Sequence, residues 1–345
     1  MKKLTNSFKL SKVIEPISKQ VQFVTENYIV DRDYEGIYAD VSNDEELHLL
    51  HEIRQGSWQD VVAKEFASSS PWLYQVIVDG GRAIFLDLLE IPQGGTFLDV
   101  GSGWGQVSLP LARYGEVIAL DLTANRINIL QAIAQQEQID LYYAQGNFIT
   151  FPFKQNSFEL IIFNGSLEWI GLGRTGEQSI LDVQCEALRK ASKLLKKGGH
   201  IYIGIENSLG LKYLLGAYDD HTGLSFISFL PERVAEQKYN TIKQSERLPA
   251  KTWSLEEYRQ MIRKAGLKLE RVYCCFPDYK IIRQMVDIRT INKFVSDYGL
   301  IVSEHNGTDG SLLGFEKELD AIYRLLGKNG IAQYFCPSYG IIACK

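Results

Sequence analysis

The chain has 345 residues, 45% of them hydrophobic and 23% charged, with a formal net charge of -5. That is ample for a sizeable core in one large domain or two modest ones. The acidic balance exerts no global pull toward nucleic acid, so no nucleic-acid partner is expected. No apolar run is long enough to span a bilayer, and the basic start Met1-Lys2-Lys3 has no apolar signal core behind it. Five cysteines without metal-ligand spacing read as free thiols, so the expected location is cytoplasmic.

Residues 1–90 read as a mostly helical cap, with short helices over Glu45 to Ile53 and Gln59 to Phe66 and a longer one over Leu73 to Leu89. From Thr96 the pattern becomes alternating strands and helices. Thr96 to Val100 is an apolar strand and Val107 to Tyr114 a helix; Glu116 to Leu120 is the next strand. Ala124 to Gln138 follows as a helix with Ile127, Leu130, Ile133 and Ala134 on one face. Leu141 to Ala144 and Phe158 to Phe163 are the third and fourth strands. Glu177 to Leu195 is a helix stopped by Lys196-Lys197-Gly198-Gly199, and His200 to Ile205 the fifth strand. This alternation predicts an α/β fold with a parallel, doubly wound sheet whose strand ends share one ligand-binding edge.

After Asn207 the alternation stops. Residues 208–252 form an insertion, 253–276 a capped helix opening at Ser254 and a strand over Leu267 to Cys275. Residues 277–333 form a second insertion with helices over Ile282 to Tyr298 and Gly314 to Leu326. Residues 334–345 supply a closing strand, expected to make an antiparallel hairpin with its predecessor at the sheet edge. Insertions of this length usually serve as lids or substrate walls.

The densest chemical signal is Asp99-Val100-Gly101-Ser102-Gly103-Trp104-Gly105, a glycine turn directly after a strand. Glycines there let the backbone approach a nucleoside, and a carboxylate at the next strand tip, Asp121, suits ribose hydroxyls. The spacing G-x-G-x-G departs from the dinucleotide pattern G-x-G-x-x-G, and no lysine opens the following helix as a P-loop would require.

These residues resemble motif I of class I S-adenosylmethionine-dependent methyltransferases. Gly146-Asn147-Phe148 is similar to the adenine-contacting stretch, with Asn147 where that family usually has aspartate. Phe158 to Trp169 resembles the fourth-strand motif, with Trp169 in place of a histidine, and Leu194 to Gly199 the turn before the fifth strand. The resemblance implies a seven-stranded Rossmann-like sheet, its cofactor-binding core over residues 91–207 completed by the late strands, and S-adenosyl-L-methionine as cofactor. It implies binding by Asp99, Gly101, Ser102, Gly103, Trp104, Gly105, Asp121, Leu122, Gly146, Asn147, Phe148, Asn164 and Gly165.

Methyl transfer from a sulfonium is an in-line displacement, so the protein supplies alignment and, for a hydroxyl acceptor, removal of a proton. The candidate base is His221, with Asp220 as its orienting carboxylate. Glu168, Trp169, Glu206, Asn207, Tyr213, Asp278 and Tyr279 are candidate acceptor-binding residues. The stretches Glu206-Asn207, Lys212 to Gly216, Asp220 to Gly223, Phe276 to Lys280 and Ser338 to Ala343 resemble a bacterial methyltransferase subgroup of cell-surface glycan synthesis. That resemblance implies O-methylation of a carbohydrate, glycan-linked or other small-molecule acceptor. No histidine or cysteine cluster has ligand spacing, so no metal is expected. N-methylation of a small molecule, an NAD-dependent oxidoreductase and a non-catalytic binding module of the same fold remain open alternatives.

Overall fold

The computed structural model describes residues 10–15, 21–31, 43–174, 176–244, 246–300 and 316–345. They divide into two compact units, one made chiefly of residues 1–163 with 193–201, the other of 164–192 with 202–344.

The first unit is built on strands β1 (Val21–Thr25), β2 (Tyr28–Asp31), β3 (Gly95–Val100), β4 (Gly115–Asp121), β5 (Tyr142–Gln145) and β6 (Phe158–Asn164), with the first half of β7 (Leu195–Glu206). Their order is β1-β2-β5-β4-β3-β6-β7. Strands β5, β4, β3 and β6 are parallel in pairs, so their C-terminal ends share one edge as expected. Every residue of β3 is buried, consistent with a central strand covered on both faces.

Helices α1 (Asn43–Gln55), α2 (Trp58–Phe66) and α3 (Pro71–Val78) precede β3. A short α4 (Ser108–Leu111) follows it, and α5 (Ala124–Glu137) follows β4. The helix expected through Leu89 stops at Val78. Asp79 there accepts a hydrogen bond from Gly81 N, and a 3-10 turn over Gly80–Leu88 follows. Helix α5 buries Ile129 as well as the four residues expected, because α1 to α3 cover its outer face. Ile129 and Ile133 pack with Leu49, Leu50, Ile53, Val62 and Ile77. Arg126 Nε bonds Glu46 Oε1 at 3.0 Å across this contact, and Gln136 caps the end of α1 through Ile53 O.

The second unit contains the rest of β7 with β8 (Lys268–Asp278), β9 (Ile281–Asp287) and β10 (Ser338–Cys344), in the order β7-β10-β8-β9. Its helices are α6 (Ile180–Leu194), α7 (Leu211–Leu214), α8 (Glu232–Ile242), α9 (Leu255–Lys264), α10 (Ile291–Tyr298) and α11 (Glu316–Lys328). The capping box of α9 forms, with Ser254 N donating to Glu257 Oε2 at 2.9 Å. The start of the helix expected from Gly314 lies outside the described residues.

Three expectations need correction. The strands number ten among the described residues, not seven. The N-terminal region contributes the β1–β2 hairpin, and β9 occupies the first half of the helix expected over Ile282 to Tyr298. The closing strand β10 does pair antiparallel with β8, but β9 forms the edge beyond it.

Candidate functional site

The glycine turn of the first unit is held from below. Gly101 N and Ser102 N both donate to Leu120 O, at 2.8 and 3.0 Å, which ties the turn to the end of β4. Gly103 N donates to Asp121 Oδ2 at 2.9 Å, and Thr123 N donates to Oδ1 at 3.2 Å. Each carboxylate oxygen keeps a second lone pair, which is what a ribose diol needs. Ser102 Oγ is buried with no hydrogen-bond partner among the described residues, so the turn carries an unsatisfied polar atom. A nucleoside-bearing ligand fits this cradle of open glycine backbone, acceptor carboxylate and orphaned hydroxyl.

The remaining residues proposed for cofactor contact have other local partners. Asp99 is buried and accepts from Ser108 Oγ at 2.6 Å; burial pushes its carboxyl up to about 6 despite that bond. Trp104 packs in the helical layer with its ring 6.0 Å from Phe66. Asn147 Oδ1 accepts from Ile149 N at 2.9 Å, shaping the turn after β5. Phe148 is buried edge-on against Phe163, 5.2 Å between centroids, which is a core contact rather than an open stacking face. Gly146 sits where a Cβ would press on Asp31 and Phe151, and Leu122 follows Asp121 half-buried.

The second unit gathers a buried ionic cluster. Glu168 lies in the 3-10 turn Leu167–Gly173, and buried Gln184 pins the backbone there by donating to Glu168 O and Lys251 O. Glu206 ends β7, where Tyr258 Oη donates to its carbonyl at 3.0 Å. His221 stands in the loop after α7. Its backbone N donates to Asp219 Oδ1, which also accepts from Thr222 N and Thr222 Oγ1, while Asp219 Oδ2 accepts from Ser228 Oγ. These bonds fix the loop and present the imidazole inward, its side chain only 4% exposed.

The carboxylate beside His221 Nδ1 is therefore Asp219, at 3.6 Å, and not Asp220 as expected. Asp220 instead bonds Lys280 Nζ at 2.8 Å and lies 3.6 Å from Lys212 Nζ. Lys280 also bonds Glu206 Oε1, and Lys212 reaches Asp278 at 3.8 Å. On the other ring edge, His221 Nε2 lies 3.7 Å from Glu168 Oε1 and 3.8 Å from Glu206 Oε2. Burial alone lowers an imidazole pKa, but Glu206, Asp219 and Glu168 outweigh it and hold His221 well above its ordinary value. Burial likewise opposes the ionised form of Asp220, yet Lys212 and Lys280 hold it below the usual carboxylate range.

Most residues proposed for the acceptor meet here. Trp169 packs edge-on against the imidazole at 5.0 Å, and Tyr279 Oη donates to Glu168 Oε1 at 3.3 Å. Tyr213 is buried under Lys212 Nζ, which sits 4.8 Å from its ring centre. Gly165 faces Tyr279 with no room for a Cβ, and Asn164 Oδ1 closes on Gly204 in the same way. Asn207 is the exception: its side chain bonds Tyr334 O, Cys336 O and Leu209 N, which makes it a backbone brace. Sequence reading passed over Lys212 and Lys280 as functional groups, and of the acid pair Asp219-Asp220 it took the wrong member as the partner of His221. The only sequence signal of the two lysines was proximity to Tyr213 and Tyr279.

Residues 98–203 match the family described as a methyltransferase domain. The chain is similar to a demethylmenaquinone methyltransferase of Bacillus licheniformis, 28% identical over 193 residues, covering 53% of this chain and 75% of that protein. It is 34% identical over 130 residues to a 2-phytyl-1,4-naphtoquinone methyltransferase of Thermosynechococcus vestitus, covering 35% of this chain and 51% of that one. Among solved structures, a SAM-dependent methyltransferase of Methanosarcina mazei aligns at TM-score 0.43 and 14% identity, over 76% of this chain and 96% of that one. The named relatives act on quinones, and the resemblance to a glycan-synthesis subgroup finds no support in them. No helix among the described residues is long and apolar enough to cross a membrane. Residues 98–203 are a methyltransferase domain, and the domain with its relatives makes the chain an S-adenosylmethionine-dependent methyltransferase enzyme.

Proposed function

We propose that S-adenosylmethionine binds on the glycine turn and that the enzyme O-methylates a hydroxyl of a polar small molecule, a carbohydrate being the preferred class. In this reading Asp121 accepts from the ribose hydroxyls and Gly101 to Gly103 line the amino-acid portion, with Ser102 Oγ supplying a polar contact. The cofactor supplies an electrophilic methyl. The protein's task is to hold the acceptor oxygen in line and take its proton.

The observation that carries the acceptor assignment is the group of Glu168, Glu206 and His221. Glu168 Oε2 and Glu206 Oε2 are fully buried and have no hydrogen-bond partner among the described residues. Such oxygens accept a hydroxyl's hydrogen bond and then its proton as the oxygen attacks. His221 and Lys280 balance the charge that gathers there. A site lined by this many charged groups suits a polyhydroxylated acceptor better than an apolar ring.

The relatives' names favour a second reading, methylation of a quinone-type ring. A panel of sugars, glycosides, naphthoquinols and amines, offered with methyl-labelled cofactor, separates the two. An O-methyl sugar or glycoside product supports the proposal. Label appearing on a ring carbon or a nitrogen alone overturns it.

A further inference from the structure

Glu168, Glu206 and His221 come from three separate segments and converge without hydrogen-bonding one another. One donor atom from each lies within 4.8 Å of the other two. The closest approaches, 3.7 and 3.8 Å from His221 Nε2, are too long for hydrogen bonds. Ligand atoms held about 2.0–2.2 Å from a shared ion stand roughly 3–4 Å apart, and both approaches of His221 Nε2 to the glutamates fall in that range.

A second observation points the same way. Glu168 Oε2 and Glu206 Oε2 are buried carboxylate oxygens with no hydrogen-bond partner among the described residues. Leaving such atoms bare is costly. Glu206 divides its two oxygens, giving Oε1 to Lys280 and leaving Oε2 on the His221 side. Asp219 Oδ1 lies 3.6 Å from His221 Nδ1, so the opposite ring nitrogen, Nε2, is the one that faces the two glutamates.

Asp220 and Asp278 lie beside Lys212, Glu206 and Asp220 beside Lys280, and Lys251 is turned to the carbonyls of Ser228 and Thr252. The second acidic grouping, Glu206 with Asp220 and Asp278, already contains the two lysine ammonium groups. The ion therefore belongs at the histidine-bearing group.

We infer that Glu168, Glu206 and His221 bind one divalent transition-metal cation. One imidazole with two carboxylates suits Mn2+ or Zn2+ better than Ca2+, which takes oxygen ligands alone. Three protein ligands leave coordination positions open; with the ion bound in place of the proton on His221, the acceptor oxygen fills one of them while a glutamate oxygen still takes its proton. That last role rests on the acceptor reading above; the metal site itself does not. No ligand spacing marked it in the sequence, because the three residues are brought together only by the fold.

The test uses the full chain, stripped with a chelator and titrated with Mn2+ and, separately, Zn2+, with S-adenosylhomocysteine binding measured alongside. The expected result is one ion per chain and a nitrogen coupling to bound Mn2+ in its paramagnetic resonance spectrum. Glu168→Gln and His221→Gln are expected to weaken uptake at least about tenfold while S-adenosylhomocysteine still binds, and His221→Gln to remove the nitrogen coupling. Absence of stoichiometric uptake by a wild-type chain that binds S-adenosylhomocysteine overturns the metal site and leaves the methyltransferase reading intact. Unchanged uptake in Glu168→Gln also overturns it. If a variant loses S-adenosylhomocysteine binding through misfolding, the wild-type nitrogen coupling decides, and its absence overturns the site.

Discussion

Asp121 and Asp99 are both buried carboxylates on neighbouring strands, and their surroundings give them different work. Asp121 keeps lone pairs beyond the two backbone donors it already holds. Asp121→Ala is expected to weaken S-adenosylhomocysteine binding by roughly 1.5–3 kcal/mol, about tenfold to a hundredfold in Kd. Calorimetry checks this, and an unchanged Kd removes Asp121 from the cofactor site. Asp99 is a stability residue by the same physics. Its carboxyl is raised from 3.8 to about 6, chiefly by burial. Below pH 3.8 both folded and unfolded chains hold the proton, and Asp99 costs nothing. Between 3.8 and about 6 the unfolded chain releases it first, so stability falls as pH rises, and above 6 the full penalty stands. Asp99→Asn is therefore expected to raise stability at pH 7.5 by about 1–3 kcal/mol, with the gain fading toward pH 4. Denaturant unfolding at both pH values reads it, and a loss at pH 7.5 contradicts it.

At the scale of elements, the glycine turn combines two demands that substitution separates. Gly105 has φ +92° and a Cβ there would overlap Leu130 and crowd Leu109, so it is a packing position. Gly103 has φ +54°, and its nearest obstacle is 3.6 Å away. Gly105→Ala is expected to cost on the order of 3 kcal/mol of stability. Gly103→Ala is expected to cost about 1 kcal/mol but to weaken cofactor binding more than its instability explains. Equal stability losses in the two variants contradict this division. The turn, its flanking strands and α5 were legible because each rests on local pattern: an apolar run, a glycine cluster, a helical period. The β1–β2 hairpin was less legible, since four of β1's five residues are exposed and leave no alternating buried face. Strand β9 was misread because Ile281, Ile282, Met285 and Val286 sit at helical spacing, while pairing with β8 decides their conformation.

For the whole molecule, the contrast lies between a cofactor turn read from one contiguous stretch and an ionic cluster assembled from distant ones. Glu168, Glu206, His221 and Lys280 lie in four separate segments, so no spacing rule links them. His221 stood out in the sequence, but its partner was misassigned. Asp219 and Asp220 are adjacent, and only the loop's own hydrogen bonds decide which faces the imidazole. His221→Gln is expected to reduce methyl transfer roughly a hundredfold, because it leaves the buried Glu168 and Glu206 without the neighbouring cation, while leaving S-adenosylhomocysteine affinity within about twofold, because the glycine turn makes no use of it. The most direct measurement is transfer of a labelled methyl from S-adenosylmethionine to hydroxyl-bearing acceptors by wild-type and His221→Gln enzyme, with the methylated atom located in the product. An O-methyl product from the wild-type chain, lost in His221→Gln with cofactor binding retained, is the predicted result. Full activity of His221→Gln, or label only on carbon or nitrogen, contradicts it.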